Sequence, residues 1–68
     1  MTRQPVRSTN LRSVGYEDGT LEVEFLNRTV YQYFNVPFEI YVRLVSYPHP
    51  GTYFADAVKG IYDYRQIY

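Results

Sequence analysis

Apolar positions change their period twice along this chain, and those changes divide it into elements. From Leu21 to Phe25 the residues alternate strictly, placing Leu21, Val23 and Phe25 on one side of a strand and Glu22 and Glu24 on the other. Upstream, Val14 and Tyr16 have the same period of two, and the intervening Glu17-Asp18-Gly19-Thr20 contains Asp-Gly, a strong signal for a type I′ hairpin turn. With Asp18-Gly19 as the turn, Tyr16 pairs with Leu21 and Val14 with Val23. Downstream of Asn27-Arg28, the β-branched and aromatic run Thr29 to Phe34 predicts a third strand.

The period becomes helical after Val36-Pro37. Proline is favoured at a helix start, and Glu39 complements the positive end of the helix dipole. Ile40, Tyr41, Leu44 and Val45 form one apolar stripe, which Pro48-His49-Pro50-Gly51 must end. Thr52 is positioned to cap a second helix carrying Phe54, Ala57 and Val58, with Ile61 as a further candidate and Gly60 as its terminator. The expected fold is α+β, a three-stranded antiparallel meander followed by two helices packed on one sheet face. Residues 1–5 read as a flexible N-terminal tail, 6–68 as a single domain and 62–68 as its C-terminal extension. Tyr16, Leu21, Val23, Phe25, Leu44, Phe54 and Val58 are the expected core.

One register stays open. A two-residue turn at Asn27-Arg28 would place Tyr31 and Tyr33 beside Glu22 and Glu24, making an open aromatic platform and burying Gln32. A loop of three or five residues reverses the parity and turns both tyrosines inward. The question matters because tyrosine is abundant, with nine in 68 residues and no tryptophan or cysteine beside them. Each ring can either frame a small core or serve a binding face.

Composition then narrows the chemistry. Without cysteine there is no disulfide framework and no thiolate zinc site. No apolar run is long enough to cross a bilayer and the N-terminus lacks a signal-peptide stretch, so a cytoplasmic location without a membrane partner is expected. His49, the sole histidine, lies between two prolines, which rules out a multi-histidine metal site within one chain. No phosphate-cradling glycine loop is present, and Ser8, Ser13 and Ser46 have only His49 as a base. The expectation is a protein that is not an enzyme and needs no cofactor or metal. Seven basic and seven acidic residues cancel, which removes long-range attraction to polyanions, although Arg3, Arg7 and Arg12 precede every acidic residue.

The fragments Ser8-Thr9-Asn10-Leu11-Arg12-Ser13-Val14-Gly15-Tyr16, Leu21-x-Val23-x-Phe25, Tyr31-x-Tyr33, Val36-Pro37, Gly51-x-Tyr53-Phe54 and Ile61-Tyr62 together resemble the KTSC domain. That family occurs at the C-terminus of some lysyl-tRNA synthetases and as small stand-alone bacterial and phage proteins. The resemblance implies no catalytic residues and no established activity, and RNA binding has been suggested for the family from its association with a tRNA synthetase. Two departures stand out: Asn27-Arg28 replaces a usual glycine in the second turn, and Pro48-His49-Pro50 replaces small and polar residues between the helices.

Two functions are carried forward. In the first, a non-catalytic accessory domain binds single-stranded RNA or transfer RNA, with Tyr31 and Tyr33 stacking on bases while Arg7, Arg12 and Arg28 contact phosphates. In the second, a protein-interaction module docks on a larger enzyme of RNA metabolism or transcription through surface tyrosines and an unpaired sheet edge. Exposed tyrosines with arginines in reach favour the first, and buried rings favour the second.

Overall fold

The computed structural model describes residues 1–68. Its elements run β1 (Arg3–Pro5), β2 (Leu11–Glu17), β3 (Thr20–Phe25), β4 (Val30–Tyr33), α1 (Phe38–Ser46), α2 (Pro50–Ala57) and β5 (Tyr64–Gln66). The strands form one antiparallel sheet in the order β1-β2-β3-β4-β5. The expected meander and the two helices are present, and two short strands extend the sheet at its edges. Arg3–Pro5, read as tail, pairs with Ser13–Gly15, and Tyr64–Gln66, read as an extension, pairs with Tyr31–Tyr33. Three-residue edge strands have too little pattern to be read locally, because it is the neighbouring strand that holds them.

The first hairpin forms in the expected register. Asp18 and Gly19 both have positive φ (49° and 82°), Tyr16 pairs with Leu21, and Val14 pairs with Val23. Farther along β2 a bulge between Leu11 and Ser13 adds Arg12 to the strand. The extra residue allows Leu11 and Val14, three apart in sequence, both to reach the buried side. Gly15 is required for a different reason. A Cβ there would lie 2.6 Å from the Thr2 carbonyl oxygen, so only glycine lets the N-terminal segment close over β2.

The second hairpin resolves the open register. Phe25 N–H donates to the Thr29 carbonyl and Arg28 N–H to the Phe25 carbonyl, both at 2.9 Å, and Arg28 adopts φ 73°. Leu26-Asn27-Arg28 is thus a three-residue loop, a turn followed by a left-handed residue. Leu21 then pairs with Tyr33 and Val23 with Tyr31, and both tyrosines share the inward face. Gln32 turns outward beside Glu22.

The core gathers Leu11, Val14, Leu21, Val23 and Tyr33 from the sheet with Val36, Ile40, Leu44, Phe54 and Val58 from the helical layer. Of the expected core residues, Tyr16 and Phe25 are only half-buried. Tyr16 donates its hydroxyl to the Val36 carbonyl at 2.5 Å, and Phe25 meets Phe54 and Tyr31 edge-on at 5.6 and 5.5 Å. Val45, expected in the α1 stripe, faces solvent with Phe38 and Val42, because α1 buries only Ile40 and Leu44 deeply. The start of α2 also differs from expectation. His49 is its N-cap and Pro50 its first residue, which places Thr52 inside the helix. Proline needs no amide partner at that position, so the second proline of the loop opens the helix.

Two stability measurements check this description. Arg28→Gly relieves left-handed strain at a small cost in unfolded-chain entropy, and should stabilise the domain by about 0.5–1 kcal/mol, seen as a melting temperature several degrees higher. Phe25→Ala should cost about 3 kcal/mol, the low end for an aromatic truncation because the ring is half-buried. An unchanged denaturation midpoint for Phe25→Ala would contradict the assigned strand faces.

Candidate functional site

The two sides of the sheet have different chemistry. On the inward side, β3, β4, β5 and α2 enclose a groove of about 530 Å³ whose lining includes Phe25, Tyr31, Tyr33, Phe54 and Tyr64. Cross-strand pairing sets Tyr64 opposite Tyr33. The rings of Tyr31 and Tyr33 stack at 6.4 Å, and Tyr64 lies 5.7 Å from each. Tyr33 is 5% exposed and meets Phe54 edge-on, whereas Tyr64 is 61% exposed. The Tyr31 hydroxyl donates to Gln66 Oε1 at 3.1 Å. Asn10, Asn27 and Thr29 also line the groove, and Lys59 is its one basic side chain.

The outward side is polar and paired. Arg3 Nη1 lies 2.6 Å from Glu22 Oε2, and Gln32 Nε2 donates to Glu22 Oε1 at 2.9 Å. Glu22, at 6% exposed, therefore belongs to an ion-pair network under Arg3 and is not a freely solvated strand residue. Glu24 accepts from Ser13 Oγ at 2.8 Å and lies 3.8–3.9 Å from Arg12 and Arg3. Arg28 shares a surface pocket with Arg3, Glu24 and Val30. Arg7 lines an adjoining pocket with Arg3 and Arg12, and Arg65 lies opposite Gln32 in the pairing of β4 with β5.

The residues singled out in the sequence thus separate into two groups. Tyr31 and Tyr33 come together as expected, but they form the floor of a groove and not an open platform. None of Arg7, Arg12 and Arg28 lines that groove. Arg12 and Arg28 lie on the outward side with Arg3 and Arg65, and Arg7 sits between that side and the loop joining the two helices, near His49. Sequence reading gave no role to Tyr64 and Lys59 in the groove or to Arg65 outside it, and noted Arg3 only as part of the N-terminal basic run. The Tyr62-Asp63-Tyr64 run had the right period for a strand, but nothing local tied it to β4. His49 is exposed beside Arg7 and Thr52, and no group of three or more histidine, aspartate, glutamate or cysteine side chains is placed to hold a metal.

Burial, reinforced by Tyr31 and Tyr64 nearby, pushes the Tyr33 hydroxyl up to about 12 from an ordinary value near 10. Because the folded-state value is the higher one, this contribution to stability is complete below pH 10 and is lost as pH rises toward 12. Ultraviolet titration of tyrosinate should show at least one ring resisting ionisation until the alkaline unfolding transition, and Tyr33→Phe should remove that ring from the late phase. A titration in which every ring ionises near pH 10 while the fold persists would contradict the burial of Tyr33.

Comparison with known proteins accords with the architecture. The KTSC domain model matches residues 7–62. A crystal structure of a KTSC domain protein from Yersinia pestis superposes with a TM-score of 0.92 at 35% identity, covering 98% of this chain and 97% of that one. Among curated proteins, the lysine–tRNA ligase of Trichormus variabilis is 40% identical over 48 residues, and that of a Nostoc species 38% over 48. Each match takes in 71% of this chain but 9% of the enzyme, so the chain corresponds to a small part of those relatives. No helix here is long and apolar enough to cross a membrane. The family match over most of the chain, together with a solved relative of the same extent, establishes that this chain belongs to the KTSC domain family.

Proposed function

We propose that this chain is a non-catalytic, cytoplasmic RNA-binding accessory domain whose phosphate contacts come from the outward face of the sheet. The observation that carries this reading is the separation of charge in a chain with no net charge. Four of its seven basic side chains, Arg3, Arg12, Arg28 and Arg65, lie on that face, where Glu22 and Glu24 are already paired, and Arg7 borders it beside the loop between the helices. Glu17 and Asp18 sit at the tip of the first hairpin, at the far end of β3 from Glu24. Guanidinium groups in excess of carboxylates provide donors for phosphate oxygens, and phosphate contacts supply most of the sequence-independent affinity for nucleic acid. Relatives that are lysine–tRNA ligases accord with a transfer RNA or single-stranded RNA partner. In this reading Tyr31 and Tyr33 are framework and groove floor, not the stacking surface.

A second reading, a protein-interaction module docking on a larger enzyme of RNA metabolism or transcription, is favoured by the aromatic groove on the other side of the sheet, by the burial of Tyr33 and by the lack of an arginine beside the tyrosines, the outcome that the sequence reading associated with it. The two readings use separate surfaces and can be tested separately.

Labelled single-stranded RNA and transfer RNA titrated at low and moderate salt test the first. Binding is expected to be micromolar or weaker and to fall with salt, with a logarithmic slope of about −0.7 per phosphate contact on a single strand. Arg12→Ala and Arg28→Gly should each flatten that slope by about one contact, and Arg28→Gly should do so while raising thermal stability. Tyr64→Ala should leave RNA affinity unchanged. Absence of binding at low salt, or arginine variants with unaltered slopes, would remove the support for this reading.

A further inference from the structure

We propose that the groove between α2 and the β3-β4-β5 edge receives an extended segment of a partner protein, with an aromatic or branched aliphatic side chain seated on the tyrosines and an adjacent carboxylate on Lys59. The inference rests on the protein-interaction reading and does not depend on RNA binding.

The walls of the groove define the anchor. Phe25, Tyr31, Tyr33 and Phe54 pack edge-on or stacked against one another, giving a largely preformed apolar floor, and Tyr64 leaves most of its ring open above it. Its volume of about 530 Å³ exceeds what a single side chain fills, so a neighbouring residue must enter as well. The charge of the site selects that neighbour. Lys59 is the sole fully charged side chain in the lining, and Asn10, Asn27 and Thr29 add neutral hydrogen-bonding groups. An acidic residue next to the anchor complements this arrangement, and a basic one would be repelled.

The edge of the sheet indicates an extended segment. β5 contributes Tyr64 to the groove and is the outermost strand, with all three of its residues exposed. The Asp63 carbonyl accepts from Phe34, and Ile67 N–H donates to Val30. By antiparallel alternation the backbone groups of Tyr64 and Gln66 therefore point away from β4 and are free to pair with an added strand. A nucleotide fits less well at this place. The arginines are on the opposite side of the sheet, leaving Lys59 as the one phosphate partner in reach.

The test is an array of short peptides in which a central position samples apolar residues and its neighbours sample aspartate, glutamate and lysine, probed with the full chain. Phenylalanine, tryptophan, leucine or isoleucine at the centre with acidic neighbours should be retained. Lys59→Glu should reverse the preference toward lysine neighbours. Ala55→Arg, on an exposed α2 position in the lining, should weaken the selected peptides by about tenfold or more. Circular dichroism of each variant confirms that its fold is intact. Peptides bound with no response to either variant would overturn the groove as their site while leaving a protein-interaction role elsewhere. No retained peptide would overturn both, and displacement of retained peptides by single-stranded RNA would make the groove a nucleotide site.

Discussion

The fold turns on the parity imposed by the loop Leu26-Asn27-Arg28. Side chains alternate along a strand, so one residue more or fewer in this loop would exchange the two faces of β4 as a whole. The three-residue loop, closed by Arg28 in the left-handed region, directs Tyr31 and Tyr33 toward the helices and Gln32 toward Glu22. From that choice follow the burial of Tyr33, the aromatic groove beside α2 and the paired outward face. An arginine in the left-handed region is less comfortable than glycine, yet its side chain adds to the basic cluster around Glu24.

A second contact holds the N-terminal edge of the sheet. Glu22 would be an expensive carboxylate at 6% exposure without partners, and it obtains them from Arg3 on one side and Gln32 on the other. The bridge runs from β1 across β3 to β4 and includes two strands that are not adjacent. Gly15 makes it feasible, since a side chain there would push the Thr2 backbone away. Removal of Arg3 would leave a buried charge partly unpaired, which costs more than the contact itself contributes.

These constraints give a small sheet two surfaces of unlike character. Arginines in excess of carboxylates lie on the outer side, and rings with a single lysine lie on the inner side. Zero net charge concealed this, because a sum over the chain carries no information about placement. The residues that line the inner groove are not those that line the outer pockets.

The chain by itself determined most of the local structure. Asp18-Gly19 defined the first hairpin and its register, the alternation from Leu21 to Phe25 defined the faces of β3, and Pro37 with the apolar stripe behind it marked α1. Those signals are legible because each element forms from neighbouring residues and its pattern repeats several times. The same is true of the family: short fragments in order along the chain pointed to KTSC before any contact was known. Tertiary structure decided what short or unpatterned segments do. Arg3–Pro5 and Tyr64–Gln66 become strands because β2 and β4 offer unpaired edges, and Pro50 opens α2 where the sequence could as well have placed the start at Thr52. The candidate site depended on the same long-range choice, since loop length at Arg28 is not encoded by any single residue type. Tyr31 and Tyr33 were recognisable as a pair, but their separation from Arg7, Arg12 and Arg28, and their company with Tyr64 and Lys59, arise only when β5 and α2 pack against β4 and the two faces of the sheet become distinct places.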